Sequence, residues 1–426
     1  MSIFCNYIYD INLLIIVGLG LLLCAYKPSK LKTFIFLTAT GMFMLFIFAF
    51  RYGIGYDYFN YFRLLNECKQ LSFIDILTFK GPVEPGFNLL LKLISLITND
   101  IIVMYILLGF IILFVLMVYI YKNSAEPWIS VYLFVTFGFF FGTMNLVRQY
   151  FSAIVFLYGI KYIQKRRFLP FLLVLLLAMS IHKSAIIMLP VYFIAKLNVN
   201  WKTLSFYSSL TLLAYIFCDY IINFATKYIY QSYDLKSGEL KSFMSPMSWI
   251  FVFVPFIYCL TAILIKNKLL ERNPDNIVLI NFSIYTLPFW ILLTKHLLIE
   301  RPSNCLYITS IILGSEIVAC LTPSQDMKQK ICDIKQSISD MEQKNIVGKP
   351  LELKSYELKK AQEKYNEAKS YYITAIVTIL FLGFCNQVFA ISHKNHNVSP
   401  YKSIFNQPRN VEHENLIKQI GSSNND

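Results

Sequence analysis

The chain has 426 residues, of which 56% are apolar, 16% aromatic and only 15% charged. A soluble globular protein carries about 25% charged residues, so this composition excludes an ordinary water-soluble domain. It excludes a disordered chain and a small disulfide-stapled scaffold as well. The net charge of +14 is spread over the segments between apolar runs. Anionic lipid headgroups account for that distribution better than a nucleic acid does.

The N-terminus has neither a basic leader region nor a small-residue cleavage site, so no signal peptide is expected to be removed. Apolar runs predict helices over 8–26, 31–50, 101–121, 128–146, 149–164, 168–181, 184–197, 203–225, 248–265, 276–294, 302–320 and 371–391. Twelve spans of about 20 residues use about 240 residues, which the length accommodates. The fold class is therefore all-α, a polytopic integral membrane protein with about 11–12 transmembrane helices. The runs 168–181 and 184–197 hold only 14 residues each. At 1.5 Å per residue each reaches about 21 Å, short of the roughly 30 Å hydrocarbon core. They read as short spans meeting at a recessed turn or as one kinked element. Segment 86–98 is shorter still and reads as interfacial or re-entrant. The nine cysteines contain no C-x-x-C pair and read as membrane-packing residues rather than a metal or redox site.

Residues 322–370 carry ten lysines and eight acidic residues around the breaker Gly348-Lys349-Pro350. Met327, Ile331, Ile334, Ile338 and Met341 recur at helical spacing ahead of it, and Leu351, Leu358, Tyr365 and Tyr372 recur every seven residues after it. Two apolar seams joined by a short turn predict an antiparallel helical hairpin over 321–370. The excess of lysine there places the hairpin in the cytoplasm and the N-terminus outside, and without that loop the bias vanishes. The expected organisation is a membrane core over 1–320 with an outer loop at 51–100, then the hairpin. A last span at 371–391 and a flexible polar tail at 392–426 follow.

Arg51-Tyr-Gly-Ile-Gly-Tyr-Asp57-Tyr58-Phe-Asn-Tyr61 follows the second run. An arginine fork suits phosphate, two glycines let backbone N–H groups approach a ligand, and tyrosines suit sugar rings. An aromatic interface belt with a snorkelling arginine fits the same residues. Glu84 sits on a proline-flanked turn, and Asn145-Leu-Val-Arg148-Gln149 places an ionisable group between two apolar runs. His182, with Lys183 and Ser184, joins the two short runs and suits either proton transfer or a structural hydrogen bond. Glu300-Arg301 precedes the run 302–320. Asp219 lies inside another run without a nameable partner. His393 and His396 lack the carboxylates of a metal site.

Together, Arg51-Tyr-Gly-Ile-Gly-Tyr-Asp57-Tyr58-x-x-Tyr61, Glu84-Pro-Gly-Phe, Asn145-x-x-Arg148-Gln149, His182-Lys-Ser184-Ala and Glu300-Arg301 resemble the EpsG family, which belongs with the Wzy-type bacterial polysaccharide polymerases. The likeness runs over residues 31–320 and leaves out the hairpin and the tail. It implies a glycosyltransferase of the bacterial cytoplasmic membrane, acting at the outer face. Such an enzyme joins a glycan carried on polyprenyl pyrophosphate to the next lipid-linked repeat unit. The resemblance implies that Arg51, Arg148 and Arg301 hold the pyrophosphate and that His182 is the base. Asp57 and Glu84 are then rival bases or acceptor-sugar ligands, and Tyr58, Tyr61, Gln149 and Glu300 line the substrate. No cofactor or metal is required. Membrane lipids, a chain-length regulator and a flippase are further expected partners. A flippase or other transporter of the same lipid-linked glycan, or a membrane O-acyltransferase, would also use arginines and a histidine.

Overall fold

The computed structural model describes residues 2–25, 28–228, 249–296, 299–344, 348–393 and 395–405. Among them the chain is helical, with no strand. Helix α1 (Ser2–Leu19) widens into a π-turn over Gly20–Ala25 and is followed by α2 (Lys30–Ala49), whose N-terminus is capped by the Ser29 hydroxyl. A peripheral layer of α3 (Tyr58–Gln70), α4 (Phe73–Leu77) and α5 (Pro85–Ser95) comes next. The chain then enters α6 (Ile101–Asn123), where Asp100 Oδ1 accepts from Ile102 N at 2.8 Å and Val103 N at 3.0 Å. That cap satisfies two of the four N–H groups that a helix start leaves open.

Helices α7 (Pro127–Thr136) and α8 (Phe139–Asn145) are bent by 55° at Gly138, which has φ +83°. Then come α9 (Val147–Leu157), α10 (Ile160–Gln164), α11 (Phe168–Ile181) and, after a 3-10 turn over Lys183–Ile187, α12 (Met188–Ile194). The next pair is α13 (Trp201–Ile216) and α14 (Cys218–Tyr228), bent by 71°; α15 (Trp249–Leu264) and α16 (Lys266–Arg272) are bent by 66°. The membrane part continues with α17 (Asn276–Leu293), α18 (Glu300–Tyr307) and α19 (Ser310–Leu321). Polar side chains join these helices where burial leaves few alternatives. Ser130 Oγ donates to Ile311 O at 2.8 Å, Tyr158 OH to Val115 O at 2.8 Å, and Asn281 Nδ2 to the carbonyls of Ala195 and Leu197.

Six helices among the described residues are long and apolar enough to cross a membrane, and counting each bent pair as one span gives up to nine. The runs 128–146 and 149–164 are largely enclosed by protein. Residues Trp128 to Thr136 are buried throughout, as are Gln149 to Leu157. They are apolar because protein surrounds them, not because each faces lipid. The runs 168–181 and 184–197 form shorter helices that meet at His182. Residue 248, the expected start of another span, lies outside the described residues.

The hairpin forms as α20 (Gln325–Gln343) packed on the first half of α21 (Lys349–Ser392). Ile334 is buried in the seam and Ile331, Ile338, Leu358 and Tyr365 are half-buried along it. No boundary separates the hairpin arm from the last span: α21 runs unbroken for 44 residues. The described part of the tail is also not loose. Residues 395–405 lie along the end of α2, with Tyr52 N donating to Lys402 O at 2.9 Å and Ile404 N to Phe50 O at 3.1 Å.

Candidate functional site

Five separated sequence segments meet at one end of the helices, the end opposite the hairpin. It is reached by the C-terminal ends of α2 and α11, the start of α18 and the break between α8 and α9. Helix α11 ends at the turn that carries His182, which is buried, and Glu84 and Arg148 beside it are half-buried, so the polar groups here form a recess rather than an exposed surface.

Arg51 does not face this recess. It is fully buried, its guanidinium donates to the carbonyl oxygens of Phe48 and, at 3.1 Å, Met144. It lies 4.1 Å from the Phe48 ring centroid and 4.2 Å from that of Tyr105. Tyr58 is buried in the same cage, stacked on Tyr105 with centroids 4.7 Å apart. Enclosure by rings and carbonyls leaves neither side chain a path to a sugar or a pyrophosphate. The structure thus places Arg51 and Tyr58, expected to hold phosphate and to line the substrate, inside the protein and away from the Arg148 cluster. Their position matters in another way, because Arg51 fastens the end of α2 to the carbonyl just ahead of Asn145. Gly55 reinforces the grip: at φ +89°, a Cβ there would lie 2.7 Å from Met144 O. Only glycine accepts both that backbone and that approach.

The fastened break presents Arg148. Its guanidinium is paired with Glu84, and its N–H lies 3.5 Å from the hydroxyl oxygen of the buried Tyr61. Glu84 Oε1 also accepts from Lys183 N at 3.2 Å. Burial pushes the Glu84 carboxyl up, but Arg148 and that backbone N–H outweigh it and hold it below the usual carboxylate range. Gln149 points the other way, and its Nε2 donates to Arg301 O at 2.7 Å, which sets the start of α18. Tyr61 and Gln149 therefore support the arginines rather than offer a surface to substrate.

Asp57 precedes α3 in the N-cap position, yet its side chain makes no capping hydrogen bond. Its carboxylate is half-buried within the fields of Arg148 and Arg301. Burial raises its pKa against the downward pull of those two arginines.

His182 is buried, and its Nδ1 accepts from Ser184 N at 3.2 Å with Ser184 Oγ 2.8 Å away. A backbone N–H can only donate, so Nδ1 is the unprotonated nitrogen and the neutral ring carries its proton on Nε2. Burial, then Arg148, Arg301 and Lys183, push its pKa down against the pull of Glu84. The ring is therefore neutral, and it offers a donor instead of the free lone pair that the expected base requires.

Glu300 lies 3.6 Å from His396 Nε2. His396 also meets Asn145 Nδ2 at 3.4 Å. The sequence had paired His396 with His393 as a weak metal motif, but the two diverge: His393 is exposed over the Phe389 ring. His396 sits 96 positions after Glu300 in a polar segment, so no spacing signal pointed to it. Among the described residues no three His, Cys, Asp or Glu side chains gather as a metal set.

The fold and site define a multi-pass membrane protein with a recessed polar cluster of two arginines, three carboxylates and two histidines among apolar helices. The chain belongs to the EpsG family, the family of Wzy-like polysaccharide polymerases; the family model matches residues 34–332. That membership implies a glycosyltransferase-like polysaccharide polymerase. No curated protein and no solved structure matches the chain.

Proposed function

We propose that the protein polymerises oligosaccharide repeat units carried on polyprenyl pyrophosphate, at the outer face of a bacterial cytoplasmic membrane. The observation that carries the reading is the convergence of Asp57, Glu84, Arg148, His182 and Arg301 in one recess beside membrane-length helices. In the reaction, the acceptor sugar's hydroxyl oxygen bonds to the anomeric carbon of the donor glycan. The bond from that carbon to the pyrophosphate oxygen breaks, and the lipid pyrophosphate leaves with the electron pair. Fixed positive charge at the leaving oxygens lowers this barrier. Arg148 and Arg301 supply it, and the Nε2–H of His182 adds a neutral donor.

The hydroxyl proton goes to Asp57. Glu84 is a poor acceptor because Arg148 and Lys183 N–H already hold its charge, and the only free lone pair of neutral His182 is taken by Ser184 N–H. Asp57 has a carboxylate not used for capping and a pKa raised by burial, which suits a proton acceptor. Glu84 keeps the Arg148 fork oriented before the donor arrives.

The test is direct. Purified full-length protein in lipid vesicles is given a polyprenyl-pyrophosphate-linked repeat unit, with no acyl donor and no nucleotide sugar. A gel ladder of longer glycans is expected from the wild type and one about 100-fold slower from Arg148→Lys. A wild-type protein that makes no ladder, or only moves the substrate across the bilayer, overturns the proposal.

A further inference from the structure

The segment 395–405 lies beyond the 34–332 stretch that the family model covers, yet it is built into the site. Gly55 N donates to Asn397 O at 3.2 Å, Tyr9 OH to Val398 O at 2.7 Å and Tyr401 OH to Ile47 O at 3.0 Å. These bonds, with those to Phe50 and Tyr52, bind the segment to α1, α2 and the Arg51–Asp57 loop. His396 and Asn397 follow one another at φ +58° and +54°. Two successive left-handed residues without glycine are rare, and such conformations persist where the surroundings impose them, often at functional sites. The turn drives the His396 ring inward beside Tyr150, with only 8% of its side chain exposed.

There the ring joins the Asp57–Asn145 side of the site to the Glu300–Arg301 side, alongside the bond from Gln149 to Arg301 O. Asn145 Oδ1 accepts from Asp57 N at 3.4 Å, and Asn145 Nδ2 donates to His396 Nδ1 at 3.4 Å. An amide nitrogen only donates, so the proton of the neutral ring lies on Nε2, facing Glu300 Oε1 at 3.6 Å. Glu300 adjoins Arg301. The order is therefore Asp57, Asn145, His396, Glu300, Arg301.

From this arrangement we infer that His396 is a positioning residue of the transfer reaction. It holds the proton acceptor Asp57 in register with the pyrophosphate-binding Arg301, and the C-terminal segment thereby completes the active site. The inference rests on the polymerase reading above. A misplacement of about 1 Å between reacting groups can cost about 100-fold in rate, so a residue that touches neither substrate can control turnover.

The experiment uses the full-length protein in vesicles with the lipid-linked repeat unit. His396→Phe keeps the ring volume beside Tyr150 and removes both nitrogens. His396→Gln restores a donor near the place of Nε2. At saturating substrate, His396→Phe is expected to slow the ladder at least ten-fold with the melting temperature unchanged, and His396→Gln to stay within about three-fold of wild type. Combining His396→Phe with Glu300→Gln should be no slower than the slower single variant, because both break the same link. Wild-type rate in His396→Phe, equal losses in Phe and Gln, or additive losses in the double variant overturn the inference. Should His396→Phe fail to fold, Asn145→Ala cuts the link one residue earlier, and a normal ladder from it counts the same way. A wild-type protein that makes no ladder instead sinks the polymerase reading, and with it the basis of this one.

Discussion

Arg51→Lys separates two roles that look alike in sequence. The substitution keeps the charge and most of the volume, so a phosphate-holding role and a caging role give different results. In the structure the guanidinium donates to two carbonyls and lies against two rings. An ammonium can keep one of those bonds. Losing a hydrogen bond from a charged donor costs about 1.5–3 kcal/mol, and weakening the ring contacts adds about 1 kcal/mol. A total of about 2.5–4 kcal/mol corresponds to a fall in melting temperature on the order of 3–4 °C for a chain of this length. The assay is a thermal melt in detergent, paired with the ladder assay normalised to folded protein. Arg51→Lys is expected to melt lower and yet retain polymerisation within a few-fold per folded molecule. Arg148→Lys should melt near wild type and lose about 100-fold in rate, as befits loss of a transition-state donor. An Arg51→Lys protein with wild-type melting and no ladder would refute the cage and return Arg51 to the substrate path.

Asp57→Asn should abolish the ladder while binding of the lipid-linked donor, measured by filter retention, survives. Because burial raises the Asp57 pKa and a base must be deprotonated, the wild-type rate should fall on the acid side at a pH above the ordinary carboxylate value. Gly55→Ala forces a Cβ into left-handed backbone 2.7 Å from Met144 O, so melting should drop and the ladder weaken together through displacement of the Arg148 break. At the opposite end, burial pushes the Glu126 carboxyl up to about 7. The folded chain then holds an extra proton between the unfolded and folded pKa values, so stability falls as pH rises through that window. Glu126→Gln should melt like wild type at pH 5 and be more stable at pH 8, by up to about 3 kcal/mol. Replacing 322–370 with a Gly/Ser linker should leave transfer intact and alter the lengths of the glycans in the ladder. Complete loss of polymer from a folded variant would show that the hairpin takes part in transfer.

Composition alone made the all-α membrane class legible, and the seven-residue spacing of Leu351, Leu358 and Tyr365 located the hairpin seam. The Asp57, Glu84, Arg148, His182 and Arg301 segments were legible too, because charge and histidine are costly amid apolar runs. Their division of labour was not. Arg51 at a span end reads like Arg148 until Tyr105 is seen to close over it, and that ring is 54 positions away. The tautomer of His182 depends on a backbone N–H two residues on, which no side-chain pattern reveals. Hydropathy does not distinguish a helix wrapped by protein, such as Trp128–Thr136, from one wrapped by lipid. His396 escaped notice because a polar, Asn-rich segment looks alike whether it is solvated or folded back.

The unbroken α21 has a mechanical consequence. Forty-four residues at 1.5 Å each make a rod about 66 Å long, with no proline after its first turn to act as a hinge. One end is an arm of the charged hairpin, and the other ends four residues before His396, which lies 3.6 Å from Glu300. A push, pull or twist applied where the lysines are is therefore carried along the helix to Ser392, with no proline joint to absorb it. The last helix is thus a shaft as well as an anchor.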